Sequence, residues 1–148
     1  MHRLAVDLGT CNTVAVVARD ATGPRALVFD GSPVLPSAVF LDRTGALLVG
    51  RDAERSMADD PARFEPFPKR RIDDGSVLLG DRDVAVVDLL AAVLRRVAVE
   101  AATAGVPPAG GPVLTCPVRW GSRRRGLLRR AAAMAGLGEA TLVDEPVA

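Results

Sequence analysis

The second half of the chain, where helical and extended periodicities alternate, constrains the fold most. Residues 84–105, VAVVDLLAAVLRRVAVEAATAG, carry apolar side chains at Val86, Leu89, Leu90, Val93, Leu94 and Val97, the spacing of one helical face. Roughly 18 residues at 1.5 Å each give a helix of about 27 Å, ending at Gly105 before Pro107 and Pro108. GPVLTCP then reads as a short buried strand stopped by Pro117. SRRRGLLRRAAAMAGLG reads as a second helix, with Ser122 as N-cap and Gly136 at its C-terminal cap. EATLVDEP is a final strand. Helical crossovers between strands call for parallel pairing.

The first half reads differently. Residues 3–7, 13–19 and 25–29 are β-branched apolar runs joined by GTCN and DATGP, which predicts an antiparallel meander. PVLPSAVFLD and GALLVG read as further strands, RDAERSMADD as a short helix closed by Pro61, and residues 61–83 as a polar, loop-rich stretch. The expected fold is α/β: a mixed five-stranded sheet with flanking helices, residues 1–148 forming one unit with a small inserted subdomain at about 34–83. With 148 residues and 49% hydrophobic content the chain can build a core. A formal charge of +1 supplies no global field toward nucleic acid or membrane. No apolar run approaches the roughly 20 residues of a membrane span, and MHRLAVDLG reaches a strand too soon for a signal peptide. Cys11 and Cys116 lie far apart without a metal-ligand spacing, which predicts free thiols and a cytoplasmic location.

Four stretches could carry chemistry. In VDLGTCNT, Asp7 ends an apolar strand and a Gly-Thr-Cys-Asn turn follows. This is either a plain hairpin or a phosphate cradle, in which backbone N–H groups and the hydroxyls of Thr10 and Thr13 face an anion while Asp7 holds magnesium through water. In PKRR, Lys69 is the only lysine among 19 basic residues; a compact ammonium suits a phosphoryl oxygen better than a planar guanidinium does, although a solvated basic loop has the same sequence. In VDEP, Glu145 either orients a water or faces a helix dipole. In SRRRGLLRR, Leu127, Leu128, Ala131 and Met134 form an apolar stripe, so the arginines read as a solvent face rather than a nucleic-acid surface. Trp120, Phe64 and Phe67 read as packing residues, and His2, the one histidine, as part of a frayed terminus.

In order and in register, VDLGTCNT, LPSAVF, LLVGRDAE, PKRRI, VLTCPVRW, AAMAGL and LVDEPVA resemble the seventy-kilodalton heat-shock chaperone family of the actin-like ATPase superfamily, whose lobes have a ribonuclease-H-like fold. The resemblance implies an ATP-binding lobe with ATP or ADP and Mg2+ as cofactors. By position, Asp7 would be the carboxylate near the metal, Gly9, Thr10, Cys11, Asn12 and Thr13 the first phosphate loop, and Lys69 the catalytic lysine. Glu145 would sit near the metal's waters, and Pro117 with Arg125 would be the interdomain signalling pair. Cys11 replaces the usual second threonine, and CPVRWGSRRR lacks the usual aromatic pair. EPVA falls where a central helix normally begins, so the expectation is a first lobe without the second lobe and the peptide-binding domain. Such a lobe alone would be inactive or nearly so and prone to self-association. In the whole protein, ATP hydrolysis would drive binding and release of unfolded polypeptides, with co-chaperones as partners. The alternatives are a fragment of a bacterial actin-like filament protein and a noncatalytic interaction module.

Overall fold

A computed structural model describes residues 2–19, 22–107 and 110–145. Pro108, the connection residues Asp20 and Ala21, and Pro146 to Ala148 lie outside the described residues. Strands β1 (His2–Leu8), β2 (Asn12–Arg19) and β3 (Thr22–Ala26) form the antiparallel meander. His2 belongs to β1 and pairs with Arg19 in the ladder, so the frayed reading of that position is corrected. Strands β4 (Leu35–Pro36), β5 (Val39–Leu41) and β6 (Leu47–Val49) precede helix α1 (Arg51–Ser56). Next come β7 (Phe64–Glu65), the hairpin β8 (Ser76–Leu79) and β9 (Arg82–Ala85), and helix α2 (Val86–Thr103). Strand β10 (Val113–Cys116), helix α3 (Ser122–Met134) and strand β11 (Thr141–Asp144) complete the order.

The main sheet runs β11-β10-β1-β2-β3, with β4 added against β2. β1 pairs parallel with β10 and β10 parallel with β11, whereas β1 pairs antiparallel with β2. The mixed sheet follows from the two connection types: a four-residue turn permits only antiparallel pairing, and helices α2 and α3 supply the length that parallel pairing demands. Alternation decides the faces. Leu4, Val6 and Leu8 are buried, while Arg3, Ala5 and Asp7 between them are exposed. The inward set joins Ala15, Val17, Leu114 and Cys116 and the apolar stripe of α2 in one continuous core. Leu89, Val93, Leu94 and Val97 of that stripe have no accessible surface.

A second sheet, β6-β5-β7, is antiparallel. Its central strand is shared between two clusters: Val39 and Leu41 enter the main core, and Phe40 packs with Ala38 and Ala53 on the other side. The stretch expected to be loop-rich, residues 61–83, contains 3-10 turns at Pro61–Arg63 and Pro68–Arg71, strand β7 and the β8–β9 hairpin. These pieces are two to four residues long, too short for a periodicity to register. The third strand also departs from expectation. Its ladder ends at Ala26, after a register shift between Val17 and Arg19, and the alternating burial of Leu27 and Phe29 beyond it mimics strand periodicity. Gly121 is the N-cap residue of α3 and Ser122 the first helical one, with no side-chain cap bond. Gly136 ends that helix as expected: at φ 81° it lets Leu137 N–H reach Ala132 O at 3.0 Å and its own N–H reach Ala133 O at 3.1 Å. Leu127 is partly buried, Leu128 and Ala131 are buried, and Met134 is exposed.

Leu94→Ala removes a side chain that lies wholly inside the core. Urea unfolding should show a loss of about 2–5 kcal/mol, with the midpoint falling and the slope unchanged.

Candidate functional site at the parallel strand edge

Because β1, β10 and β11 run parallel, their C-terminal ends lie along one edge, where ligands of open α/β sheets gather. Asp7 reaches this edge on the face opposite the core, and its Oδ1 accepts the Thr115 hydroxyl of β10 at 2.9 Å. Glu145 follows β11 directly, and its N–H donates to Cys116 O at 2.8 Å, which carries the ladder one residue past the strand. The Cys116 thiol of the same strand, β10, is buried on the core side, and that burial raises its pKa.

The turn Gly9–Asn12 follows β1 at the same edge. Gly9 N–H donates to Asn12 O at 3.0 Å. A Cβ on Gly9 would come 2.3 Å from that carbonyl oxygen, so the turn excludes any larger residue in this conformation. Ser37 pins the turn from outside: its hydroxyl donates to Gly9 O at 2.9 Å and its N–H to Cys11 O at 2.9 Å. The Thr13 hydroxyl is buried and shares a 2.9 Å hydrogen bond with Ser37 Oγ. Thr13 therefore braces the turn from beneath and has no side-chain surface to offer a ligand. The N–H groups of Thr10 and Cys11 have no hydrogen-bond partner among the described residues. Cys11 and Asn12 are exposed. Beside Asn12 lies a cavity of about 600 Å³, also lined by Ser32, Pro36, Arg51 and Arg55.

Lys69 arrives from the 3-10 turn Pro68–Arg71. Its side chain is only 8% exposed, and Nζ donates to Glu145 Oε1 at 2.8 Å, across 76 residues of sequence. The same ammonium lies over the Trp120 ring, 5.5 Å from its centroid. Two carboxylates, Glu65 and Asp73, hold this 3-10 turn in place. Buried Glu65 accepts Phe67 N–H and Arg71 Nε, both at 2.8 Å. Asp73 accepts Arg124 through both carboxylate oxygens and Arg123 at 3.3 Å, so the start of α3 clamps the loop. The Arg124 hydrogen bond is the main reason that the Asp73 carboxyl titrates below the usual aspartate value. Two arginines expected on a solvent face are thus partly engaged.

Arg125 forms a further node. Its Nε donates to Trp120 O at 2.7 Å and its NH2 to Asp144 Oδ1 at 2.8 Å. The same NH2 lies 3.4 Å from Pro117 O. The bond to Asp144 raises the guanidinium pKa.

The structure therefore joins Lys69 to Glu145 and Pro117 to Arg125, and it aligns Asp7 with both strands that lead to Glu145 and Pro117. No hydrogen bond among the described residues links the Gly9–Asn12 turn to Lys69. Nothing in the periodicity of the sequence marks Ser37, Thr115 or Trp120 as site residues. Ser37 acts on residues 24 to 28 positions away, a pairing that local periodicity does not carry. Trp120 had one available signal, its place four residues after a strand end at the only cluster of Pro and Gly near the arginines.

A mixed sheet with helices flanking it and a strand-edge site is the architecture of one lobe of an actin-like ATPase. No protein-family model matches the chain. Curated relatives do. Chaperone protein DnaK of Thermotoga petrophila is 30% identical over 147 residues, and that of Thermotoga maritima likewise, each alignment covering 98% of this chain and 25% of the relative. Chaperone protein dnaK1 of Prochlorococcus marinus is 27% identical over 171 residues, covering 98% of this chain and 26% of the relative. The chain is a homologue of the DnaK, or seventy-kilodalton heat-shock, chaperones and spans about a quarter of the length of these relatives.

Two outcomes test the site's construction. Gly9→Ala should break the Gly9–Asn12 closure, and a destabilisation of about 1–3 kcal/mol is expected in urea unfolding. For Asp73, whose folded pKa is depressed, the clamp's contribution is present above the unfolded value of about 3.9 and is lost as pH falls through the lower folded value. Unfolding midpoints at pH 3 and pH 6 should therefore differ less in Asp73→Asn than in the wild type.

Proposed function

We propose that this chain is the nucleotide-binding lobe of a DnaK-type chaperone, holding the phosphate end of ATP at the C-terminal edge of its parallel strands. The observation that carries the reading is the meeting of the chain's only lysine with Glu145 at the edge that Asp7 and the Gly9–Asn12 turn share. An ammonium drawn out of water against a carboxylate is poised to exchange that partner for a phosphoryl oxygen.

Each residue then has a task. The unpartnered N–H groups of Thr10 and Cys11 donate to phosphate oxygens, so loss of a hydroxyl at Cys11 leaves the backbone contribution intact. Gly9 and Asn12 shape the turn, and Thr13 and Ser37 hold it rigid. Lys69 stabilises charge that develops on the transferred phosphoryl group. Glu145, freed from Lys69 at that moment, orients the attacking water. Asp7 has one oxygen engaged by Thr115 and its other oxygen without a protein partner among the described residues. A single such carboxylate suits Mg2+, an ion that keeps most of its own waters. When bound, the metal supplies positive charge to the phosphate oxygens. Among the described residues no group of three or more His, Cys, Asp or Glu side chains gathers to hold a metal directly.

In a longer polypeptide, a second lobe would close over the nucleotide, and hydrolysis would switch the affinity of a peptide-binding domain for unfolded chains. Pro117 and Arg125 are the signalling pair in this reading, with the Arg125 bond to Asp144 as the contact that would rearrange. Residues 34–83 would form the small subdomain beside the cleft. The location would be cytoplasmic; among the described residues no helix is long and apolar enough to cross a membrane. Co-chaperones would act on the same assembly.

Calorimetry with magnesium-ATP on the wild type, Asp7→Ala and Lys69→Ala tests this. Wild-type binding weakened about tenfold or more in each variant, a change of about 1.4 kcal/mol, is expected. Equal binding in all three would overturn the site assignment.

A further inference from the structure

Trp120 is the only tryptophan of the chain and stands beneath its only lysine. The separation of 5.5 Å from ammonium to ring centroid is within the roughly 6 Å over which a ring quadrupole attracts a cation. The same ammonium donates to Glu145. The Trp120 backbone is fixed from both directions: its N–H donates to Pro117 O at 3.0 Å, and its carbonyl accepts Arg125 Nε at 2.7 Å. Arg125 also grips Asp144, the residue before Glu145. One guanidinium thus anchors both the ring and the strand end that hold the lysine.

The geometry points to Trp120 as a positioning residue for Lys69. The two holders of the ammonium differ in kind. Glu145 is an anion, so an arriving phosphate competes with it for the same cation. The indole face carries no net charge and offers only its quadrupole, so the phosphate does not need to displace it. Lys69 can change anionic partners while its ammonium stays on the ring. A free lysine side chain has many rotamers to lose on ordering, and a lysine already ordered on the ring spares the incoming ligand part of that cost. The purpose of this arrangement rests on the nucleotide reading above; its geometry does not.

Because Lys69 is the sole lysine, 13Cε-lysine labelling of the full chain gives one side-chain NMR signal. In the wild type the attached protons should lie upfield of their position in the urea-unfolded chain, as protons above an aromatic face do. Trp120→Phe should retain part of that shift, and Trp120→Leu should abolish it. Magnesium-ATP affinity should fall about two- to fivefold in Trp120→Leu and recover toward wild type in Trp120→Phe. A wild-type signal already at the unfolded position would overturn the inference without recourse to any variant. So would a shift that survives in Trp120→Leu, or tighter nucleotide binding in that variant, which would mean that the ring sequesters the lysine. If the wild type shows the ring shift but magnesium-ATP does not bind, the nucleotide reading falls and the positioning of Lys69 by Trp120 stands.

Discussion

The parallel pairing of β1 with β10 is the constraint on which the rest depends. Ala5 opposes Val113 and Val6 opposes Leu114, residues separated by 108 positions. That register does two things together. It turns Leu4, Val6 and Leu8 toward α2 and α3, and it leaves Asp7 beside Thr115 on the opposite face. A slip of one residue would invert both, burying a carboxylate and exposing three leucine and valine side chains. Core formation and placement of the acid are therefore one event. Helix α2, whose stripe fills the core, also provides the crossover that makes the parallel pairing possible.

A second dependence is electrostatic. Lys69 is nearly inaccessible, and a cation in that position needs partners that compensate for its lost hydration. Glu145 provides charge and Trp120 a polarisable face. Neither would be in place without Cys116 O receiving Glu145 N–H and Arg125 bridging Trp120 to Asp144. The ends of β10 and β11, the loop after β10 and the start of α3 are thus tied into one rigid corner. The 3-10 turn carrying Lys69 docks on that corner through Asp73 and its two arginines. In the proposed reading this corner is preorganised for a ligand with several negative charges, since the cation and the turn amides are held before it arrives.

What the sequence displayed was what period and punctuation can encode. The stripe from Val86 to Val97 and the β-branched runs of β1 and β2 marked the long elements, and Gly136 marked the end of α3. The pieces between Pro61 and Ala85 were hidden because strands of two to four residues have no period to detect. The third strand, Thr22–Ala26, reads from the sequence as 25–29 because Leu27 and Phe29 alternate inward beyond its ladder. At the site, Lys69 stood out by composition, as one lysine among arginines. Its contact with Glu145 spans 76 residues and could enter only through a family resemblance. Thr13 shows the limit of reading by motif: it falls in the expected phosphate-loop stretch, yet it lies in β2 with its hydroxyl spent on Ser37. Two arginines of the α3 run clamp Asp73, a role that composition alone assigns to solvent.

The most direct measurement of the central claim, that the parallel strand edge receives phosphate, is a backbone amide NMR titration of the chain with magnesium-ATP. The largest shifts are expected at the Thr10 and Cys11 amides, with Lys69 and Glu145 responding at the same ligand concentration. Shifts confined to the exposed arginines of α3, Arg129 and Arg130, with Thr10 and Cys11 unmoved, would contradict it and return the protein to the class of nonspecific anion binders.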